Sequence, residues 1–581
     1  MARIAVIDND KLEDMQKKKH IQSLCPINRK GDDCIYFDGA KLFIDEPLCI
    51  GCAICSNAAP DAISIINLPK ELDKNPLFRY GQNEFALYNL PIPIFGKVVG
   101  MLGRNGTGKS TALKILSNLT KPNFGREQEA EEKEVIQEFR GTEAQAYFEK
   151  LYKKEIKVAY KPQHVDAIPK QFDGKVIELL KKVDETGRVD EIIELLDMKR
   201  FMDNKLSEIS GGELQRVAIA ATLVKDANVY VFDEPTSYLD IKQRLKVAKI
   251  IKELADENTA VLVIEHDLIA LDFMTDLVHL LYGKPGVYGV VSRALATKNG
   301  INTYLHGYLK EENMRFRSKA ITFGMKAEQE KVSKHKVVEW DTIKKTLGKF
   351  NLAANPGVVH RGEVVGVLGE NGIGKTSFVK ILAGVIEQDE GKLNEKITVS
   401  YKPQYIEAES EELVMNILGD AVEKYQVELI KPLEIEPLLL KQINHLSGGE
   451  LQRVAIAVAL AQHCHLVLLD EPSAYLDVEQ RLQLSKVITK FAEQRGIAIL
   501  VVDHDLLFLD YVSDSLLVFS GEPAKEGTAN GPMELGEGMN SLLKEVEITI
   551  RRDEVSGRPR INKKDSVKDR EQKASGKYYY L

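Results

Sequence analysis

The sequence predicts an α/β chain in which two copies of a phosphate-binding domain follow a small N-terminal α+β domain. Three observations carry this expectation. Five ordered motifs occur twice: GRNGTGKS (103–110) and GENGIGKT (369–376), YKPQ (160–163 and 401–404), SGGELQRVAIA (210–220 and 447–457), FDEPTSYLD and LDEPSAYLD (232–240 and 469–477), and EHD and DHD (265–267 and 503–505). Each glycine-rich loop follows an apolar β-branched run, KVVGMLG or EVVGVLG, and precedes a helical pattern, the strand–loop–helix context that such a loop needs. Five of the six cysteines, Cys25, Cys34, Cys49, Cys52 and Cys55, crowd into the N-terminal region, with Cys464 apart.

Bulk composition narrows the class. The 581 residues exceed what one core accommodates. A net charge of −8 places any nucleic-acid contact on local basic patches rather than on overall charge. No run approaches the ~18 apolar residues of a membrane span, and MARIAVIDNDKLEDMQKKKH lacks the apolar stretch of a signal peptide. Clustered cysteines without a spread disulfide framework fit a reducing compartment, so a cytoplasmic location is expected.

Motif spacing separates two repeated units. The expected units are 1–70, the cysteine-bearing domain; 71–290, the first nucleotide-binding domain; 291–325, a connecting segment; 326–522, the second nucleotide-binding domain; and 523–581, a basic tail. The family resemblance given below implies that 1–70 is ferredoxin-like and that 291–325 and 523–581 are hinges. Lys109 and Gln163 are 54 positions apart, whereas Lys375 and Gln404 are only 29 apart. The surplus predicts a helix–loop–helix insert at about 121–153, because Phe139, Tyr147, Phe148 and Leu151 suit a packed insert better than an open acidic loop. Short runs such as VYVFDE, AVLVIEH, LVLLDE and AILVVDH read as buried strands with functional residues at their C-terminal ends.

The repeated motifs have a phosphate chemistry. Backbone N–H groups of the loops (Gly103, Asn105, Gly106 and Gly108; Gly369, Asn371, Gly372 and Gly374) and the helix N-termini that follow (Thr111; Ser377) enclose phosphate oxygens, with Lys109 and Lys375 adding point charges. Ser110 and Thr376 offer hydroxyls to Mg²⁺. Asp233 and Asp470 complete its shell, directly or through water, and the family resemblance given below implies that Gln163 and Gln404 join it. Glu234 and Glu471 are placed to polarise the attacking water.

SGGELQR resembles the signature of ATP-binding-cassette (ABC) ATPases. That resemblance implies two cassettes facing head to tail, so the fold class becomes two ABC-type P-loop ATPase domains in one chain, a monomer with intramolecular pairing. Site 1 then combines Lys109, Ser110, Gln163, Asp233, Glu234 and His266 with Ser447 and Gly449 of the other cassette. Site 2 combines Lys375, Thr376, Gln404, Asp470, Glu471 and His504 with Ser210 and Gly212. Asp240 and Asp477 lie along the same seam. ATP and Mg²⁺ are the implied cofactors, and both sites are expected to hydrolyse. The EHD/DHD difference is a weak sign of asymmetry. Adenine is expected to stack on an upstream aromatic, Tyr80 or Phe85 in site 1 and Trp340 or Phe350 in site 2, although any of these suits a core.

A cysteine segment, two cassettes and a basic tail resemble the ABC-E family of ribosome-recycling ATPases. AISIINLP (62–69), FRGTEAQAYF (139–148), YGVVS (288–292), ENMRFR (312–317) and RPRINKKDSVKDREQKASGKYYYL (558–581) carry the resemblance, the tail in its eukaryotic form. It implies an ATPase that splits ribosomal subunits after termination or rescue. The expected partners are the small ribosomal subunit and its rRNA, a peptide-release or rescue factor, and initiation factors, with no membrane. Arg315, Arg317, the basic residues of 551–581 and Tyr578–Tyr580 are the expected rRNA surface, with a solvated tail or a strap between cassettes as the plainer readings, and the resemblance favours a hinge that also touches rRNA. A transporter ATPase subunit or an ABC-F-type factor shares the cassette motifs without the cysteine segment and tail.

The family carries two [4Fe–4S] clusters, each completed by the last cysteine of the other run. Aligned on it, one ligand set falls on Leu12, Lys17, Ile21 and Ala59, and the other on Cys25, Cys49, Cys52 and Cys55. One site is therefore expected to be lost whole and one [4Fe–4S] cluster to remain. Zinc or free thiols stay open as readings of the same four cysteines, and C-x₂-C-x₂-C favours the cubane. Cys34 matches a family position that is not a ligand.

Overall fold

The computed structural model describes residues 3–12, 14–67, 75–321, 323, 335–393, 397–403 and 410–580. In the N-terminal domain, strands Arg3–Ile7 and Ile63–Asn67 pair antiparallel and Ile35–Asp38 forms a hairpin with Lys41–Ile44. Helices Met15–Leu24 and Ile54–Ala58 pack together beside them. Leu12, Ile21 and Ala59 are all buried in one core with Leu42, Ile44 and Cys25. Three of the four positions of the ligand set expected to be lost are thus filled by apolar packing. Lys17 is exposed at the fourth.

This domain is clamped onto the turn that opens the first cassette. The buried Arg79 guanidinium donates to both Glu46 carboxylate oxygens (2.9 and 2.6 Å) and to the Ala5 carbonyl (3.2 Å). Asn83, buried and at φ +59°, donates to the Ile44 carbonyl and accepts from its N–H (3.0 and 2.7 Å).

The two cassettes repeat one sheet order. Among the described residues, the first has a nine-stranded sheet whose order runs Phe78–Arg79, Ala86–Tyr88, Tyr288–Val291, Leu277–Lys284, Val98–Gly103, Ala260–Ile264, Val229–Asp233 and Val158–Lys161, with Leu295–Ala296 beside Leu277–Lys284. The second repeats this order through Ile343–Leu347, Phe350–Ala354, Glu526–Glu534, Ser515–Glu522, Val364–Leu368, Ala498–Val502, Leu466–Asp470 and Val399–Lys402. Strands Val229–Asp233 and Leu466–Asp470 are buried at every position, as parallel strands covered on both faces require. The boundaries expected at 290 and 522 need correction: Leu295–Ala296 belongs to the first sheet, and the 522 boundary cuts a hairpin of the second. Sequence periodicity marked neither, because Glu526–Glu534 reads EGTANGPME, a polar, glycine-rich stretch.

Residues 132–152 form two packed helices, Glu132–Glu138 and Glu143–Tyr152. Phe139 stacks on Phe148 (5.3 Å) and the Tyr147 hydroxyl donates to the Leu116 carbonyl (2.6 Å), fastening the pair to the first cassette.

The C-terminal segment turns much of its charge inward. Arg558 has no exposed side-chain surface and donates to Asp272 at 3.1 Å, and Arg560 joins the same carboxylate. Asp510 of the second cassette receives the Tyr579 and Tyr580 hydroxyls. Arg317 lies over the Tyr304 ring and reaches Glu479 at 3.1 Å. Arg317, Arg558, Arg560 and Tyr579 therefore lie in a strap between the cassettes, with these side chains turned onto protein partners. The physical reason is that Asp272 and Asp510 are buried acids, which need partners. Lys563, Lys564, Lys568, Arg570 and Lys577 remain exposed.

Candidate functional site

Each P-loop bends through glycines at positive φ: Gly106 (+75°) and Gly108 (+89°), Gly372 (+76°) and Gly374 (+91°). A side chain at Gly108 would also strike the Phe85 ring, 2.8 Å from its Cβ, and at Gly374 the Phe350 ring, at 2.9 Å. Phe85 and Phe350 are thus matching props beneath the two loops. Tyr80, 54% exposed, lies beside Phe85 and bonds the Thr111 hydroxyl at 2.9 Å. The position facing Phe350 across its hairpin is Leu347, an aliphatic residue. Trp340 is not a nucleotide platform: it is 1% exposed, packs edge-on to Phe378 and donates its indole N–H to the Asn355 carbonyl.

Helices Lys109–Leu116 and Lys375–Leu382 start at the P-loop lysines and include Ser110, Thr111, Thr376 and Ser377. Lys109 Nζ donates to the carbonyls of Gly103 and Arg104 (2.8 and 3.0 Å) and to Asn105 Oδ1 (3.3 Å). Lys375 Nζ donates to those of Gly369 and Glu370 (2.8 and 2.7 Å). Burial lowers both ammonium pKa values, Lys375 to about 8. The Thr376 hydroxyl donates to Asp470 at 3.1 Å, and Ser110 bonds Asp233. These hydroxyl–carboxylate pairs offer the hard oxygen donors that suit Mg²⁺.

Glu234 and Glu471 sit just past buried strands in the left-handed region, at φ +48° and +46°. Non-glycine residues hold such backbone only where their surroundings over-determine it. Glu234 Oε1 accepts from Gln163 Nε2 (2.8 Å) and Oε2 from the Ser237 hydroxyl (3.1 Å). Burial, helped by Asp233 alongside, raises its carboxyl pKa. His266 Nε2 is 3.7 Å from Glu234, and His504 Nε2 is 3.8 Å from Glu471. Burial holds both imidazoles well below the usual histidine range, so they are neutral. Gln404 lies outside the described residues. At the EHD/DHD difference the two acids make matching contacts. Glu265 accepts from the His266 N–H and the Thr236 hydroxyl (2.8 and 2.7 Å), and Asp503 from the His504 N–H and the Ser473 hydroxyl (2.7 and 2.8 Å).

The cassettes meet with each P-loop against the other's loop after the Glu234 or Glu471 turn. The Asn105 N–H donates to Asp477 Oδ2 and the Asn371 N–H to Asp240 Oδ2, both at 3.1 Å. Ser210 and Ser447 cap the signature helices Gly211–Leu223 and Gly448–Ala461 in capping boxes with Glu213 and Glu450. Gly212 packs its Cα on the Tyr238 carbonyl, with the Asn371 amide 3.7 Å from where a Cβ would stand, and Gly449 packs on the Tyr475 carbonyl. One cavity at the centre of the seam is lined by Glu234, His266, Glu471 and His504 together. Reading motifs one cassette at a time overlooked Arg244 and Arg481, which line that cavity and pair with Asp267 (3.2 Å) and Asp505 (2.6 Å). The repeated QRL after each YLD was their signal.

In the N-terminal domain Cys25, Cys49, Cys52 and Cys55 line one apolar pocket with Cys34 and several isoleucines. Cys52 is exposed and the other three are buried. Among the described residues no three His, Cys, Asp or Glu side chains converge tightly enough to hold a single metal ion. A soft, four-thiol set spread around a pocket fits an iron–sulfur cluster.

A family model described as ABC transporter matches residues 94–237 and 357–474. An uncharacterized ABC transporter ATP-binding protein of Methanocaldococcus jannaschii is 48% identical over all of this chain and 98% of its own length. ABC transporter E family member 1 of Arabidopsis thaliana is 42% identical over all of this chain and 99% of its own. A solved structure described as a model of ribosome-bound archaeal Pelota and ABCE1 superposes with a TM-score of 0.94 at 52% identity, covering 100% of this chain and 99% of that one. Another, of the archaeal ribosomal stalk protein aP1 with the ribosome recycling factor aABCE1, has a TM-score of 0.83 at 51% identity over 88% of this chain and all of that one. With two complete cassettes, a cysteine-bearing N-terminal domain and full-length identity of this order, the chain is an ATPase that belongs to the ABC-E family.

Proposed function

We propose that this ATPase splits ribosomal subunits after termination or rescue, ATP drawing the cassettes together and hydrolysis releasing them. The observation that carries the reading is the reciprocal seam, in which each P-loop asparagine N–H is held by the opposite cassette's aspartate. A triphosphate bound there bridges two rigid bodies, and removing its γ-phosphate removes the bridge. Lys109 and Lys375 bind phosphate, the Ser110–Asp233 and Thr376–Asp470 pairs with Gln163 and Gln404 hold Mg²⁺, and Glu234 and Glu471 activate water. Neutral His266 and His504 donate to the γ-phosphate, and Ser447, Gly449, Ser210 and Gly212 close on it from across the seam. Tyr80 stacks on adenine in site 1.

Cys25, Cys49, Cys52 and Cys55 hold one [4Fe–4S] cluster, which when bound supplies iron–thiolate bonds that brace the 49–55 loop against the rest of the domain. The exposed Lys563, Lys564, Lys568, Arg570 and Lys577 support contact with rRNA phosphates in the cytoplasm. The related structures with Pelota and a stalk protein support partners of those kinds. The test is subunit splitting followed by light scattering, with the unmodified chain and with Glu234→Gln/Glu471→Gln. Splitting that needs ATP supports the reading, and ribosomes left intact at saturating protein and ATP overturn it.

A further inference from the structure

Two tyrosines that no phosphate chemistry calls for meet at the centre of the seam. The Tyr238 hydroxyl donates to the Tyr475 hydroxyl at 3.0 Å, and the rings stand edge to face with centroids 6.3 Å apart. Each lies four residues after its Walker-B glutamate and two before the seam aspartate. Both are in the left-handed region, at φ +64° and +62°. For a bulky aromatic residue that is a true outlier.

The surroundings show what holds them there. The Tyr475 carbonyl accepts from Asn105 Nδ2 across the seam and the Tyr238 carbonyl from Asn371 Nδ2, both at 3.4 Å. The same two carbonyls are the atoms on which Gly449 and Gly212 of the signature loops pack. Asn105 Oδ1 in turn accepts from Lys109 Nζ, and Ser237, next to Tyr238, donates to Glu234. A continuous chain of contacts therefore runs from the site 1 lysine through Asn105, the Tyr475 backbone and the two hydroxyls. It continues through the Tyr238 backbone to Asn371 in the site 2 P-loop.

We propose that the Tyr238–Tyr475 hydroxyl pair couples nucleotide binding at the two ATP sites, as a positioning element that touches neither nucleotide. Phosphate arriving at site 1 draws Lys109 Nζ off Asn105. The amide then lets go of the Tyr475 carbonyl, whose strained backbone relaxes and carries its hydroxyl away from Tyr238. The left-handed strain makes the pair two-state, paired and strained or apart and relaxed, which is what coupling requires. Site 2 enters the same chain at Asn371, whose amide holds the Tyr238 carbonyl, while Lys375 Nζ donates only to the Gly369 and Glu370 carbonyls. Linkage demands that each site change the other's affinity by one common factor.

The experiment is isothermal titration of the full-length chain with Mg-ATP in a Glu234→Gln/Glu471→Gln background, so that binding is read without turnover. Lys109→Ala and Lys375→Ala forms give each site's affinity with the other blocked. The coupling factor is the ratio of site 2 affinity with site 1 filled to that with site 1 blocked. It is expected to differ from one by roughly five- to a hundredfold. Tyr238→Phe, Tyr475→Phe and the double variant keep the rings and are each expected to bring the factor close to one. The double should go no further than either single, because one hydrogen bond is lost in all three. A factor of one in the unmodified tyrosine background, a factor that Phe leaves in place, or additive effects of the two substitutions would each overturn the proposal. Failure of Lys109→Ala to remove one binding event would instead count against the placement of the ATP sites themselves.

Discussion

Arg560 grips Asp272 at two points, Nε to Oδ2 at 2.6 Å and Nη2 to Oδ1 at 3.0 Å, joining the C-terminal segment to a helix of the first cassette. Asp272 also holds the wholly buried Arg558. Replacing Asp272 by Ala leaves a buried guanidinium without its carboxylate, a loss of about 3–5 kcal/mol. The strap should then detach before the cassettes unfold. Limited proteolysis in the 551–580 stretch, compared with Arg560→Lys, reads this out, and unchanged cleavage would show that the pair does not hold the strap.

Lys375 sets a pH limit on nucleotide binding. Burial pushes its ammonium down to about 8 in the free protein, and a bound triphosphate pulls it back up. Below pH 8 the lysine is already charged and affinity is flat. Above it, binding must take up a proton, so site 2 affinity falls by up to about tenfold per pH unit. Titrating the Lys109→Ala form between pH 7 and 9.5 measures this, and a flat profile would remove Lys375 from the phosphate site.

Asp553 gives the strap a pH dependence at the acid end. Burial works against its charge. The N–H groups of Ser556 and Val555, the Ser556 hydroxyl and the Asn302 amide outweigh it, holding the carboxyl at about 2. A carboxyl held below its unfolded value adds stability above about pH 4, which is lost as pH falls towards 2. Asp553→Asn should flatten that part of a melting-temperature profile, with the profile above pH 5 merely shifted.

Iron content tests the single-cluster reading. Protein purified without oxygen should carry about four irons and four sulfides per chain. Leu12→Cys/Lys17→Cys/Ile21→Cys/Ala59→Cys restores the second ligand set and should raise both counts, since the apolar side chains that fill the site are removed. About eight irons in the unmodified chain would sink the reading, and zinc in place of iron would reassign the cysteines.

Much of this was legible from the amino acids, for reasons that differ by feature. Chemistry done by a short loop is written in consecutive residues, so GRNGTGKS and FDEPTSYLD gave the P-loops and the strand-end carboxylates directly. Trp340 was ambiguous because an aromatic near a P-loop has the same local pattern whether it faces nucleotide or packs on Phe378. The tail was open between rRNA contact, a solvated tail and a strap, because the sequence shows the charge of Arg558 and Arg560 but only the fold brings Asp272 to meet them from 288 residues before Arg560. The strand Glu526–Glu534 was missed because EGTANGPME, although paired on both sides within the sheet, is polar and glycine-rich and lacks apolar alternation. The seam tyrosines sat in plain view inside YLD, but their hydroxyl contact exists only once the two copies face each other.

The clamp at Arg79 has a consequence for how the duplication is used. Its guanidinium and Asn83 tie the N-terminal domain to the turn that also carries Tyr80, so whatever nucleotide does to that turn is felt by an entire appended body. The corresponding turn of the second copy, Leu347 to Phe350, ends in an ordinary hairpin. Two independent subunits of identical sequence would have to bear such a load on both sides or neither. Fusing the copies into one polypeptide lets one half carry an appended domain at this turn while its twin carries none there, so near-identical motifs sit in halves of unequal load.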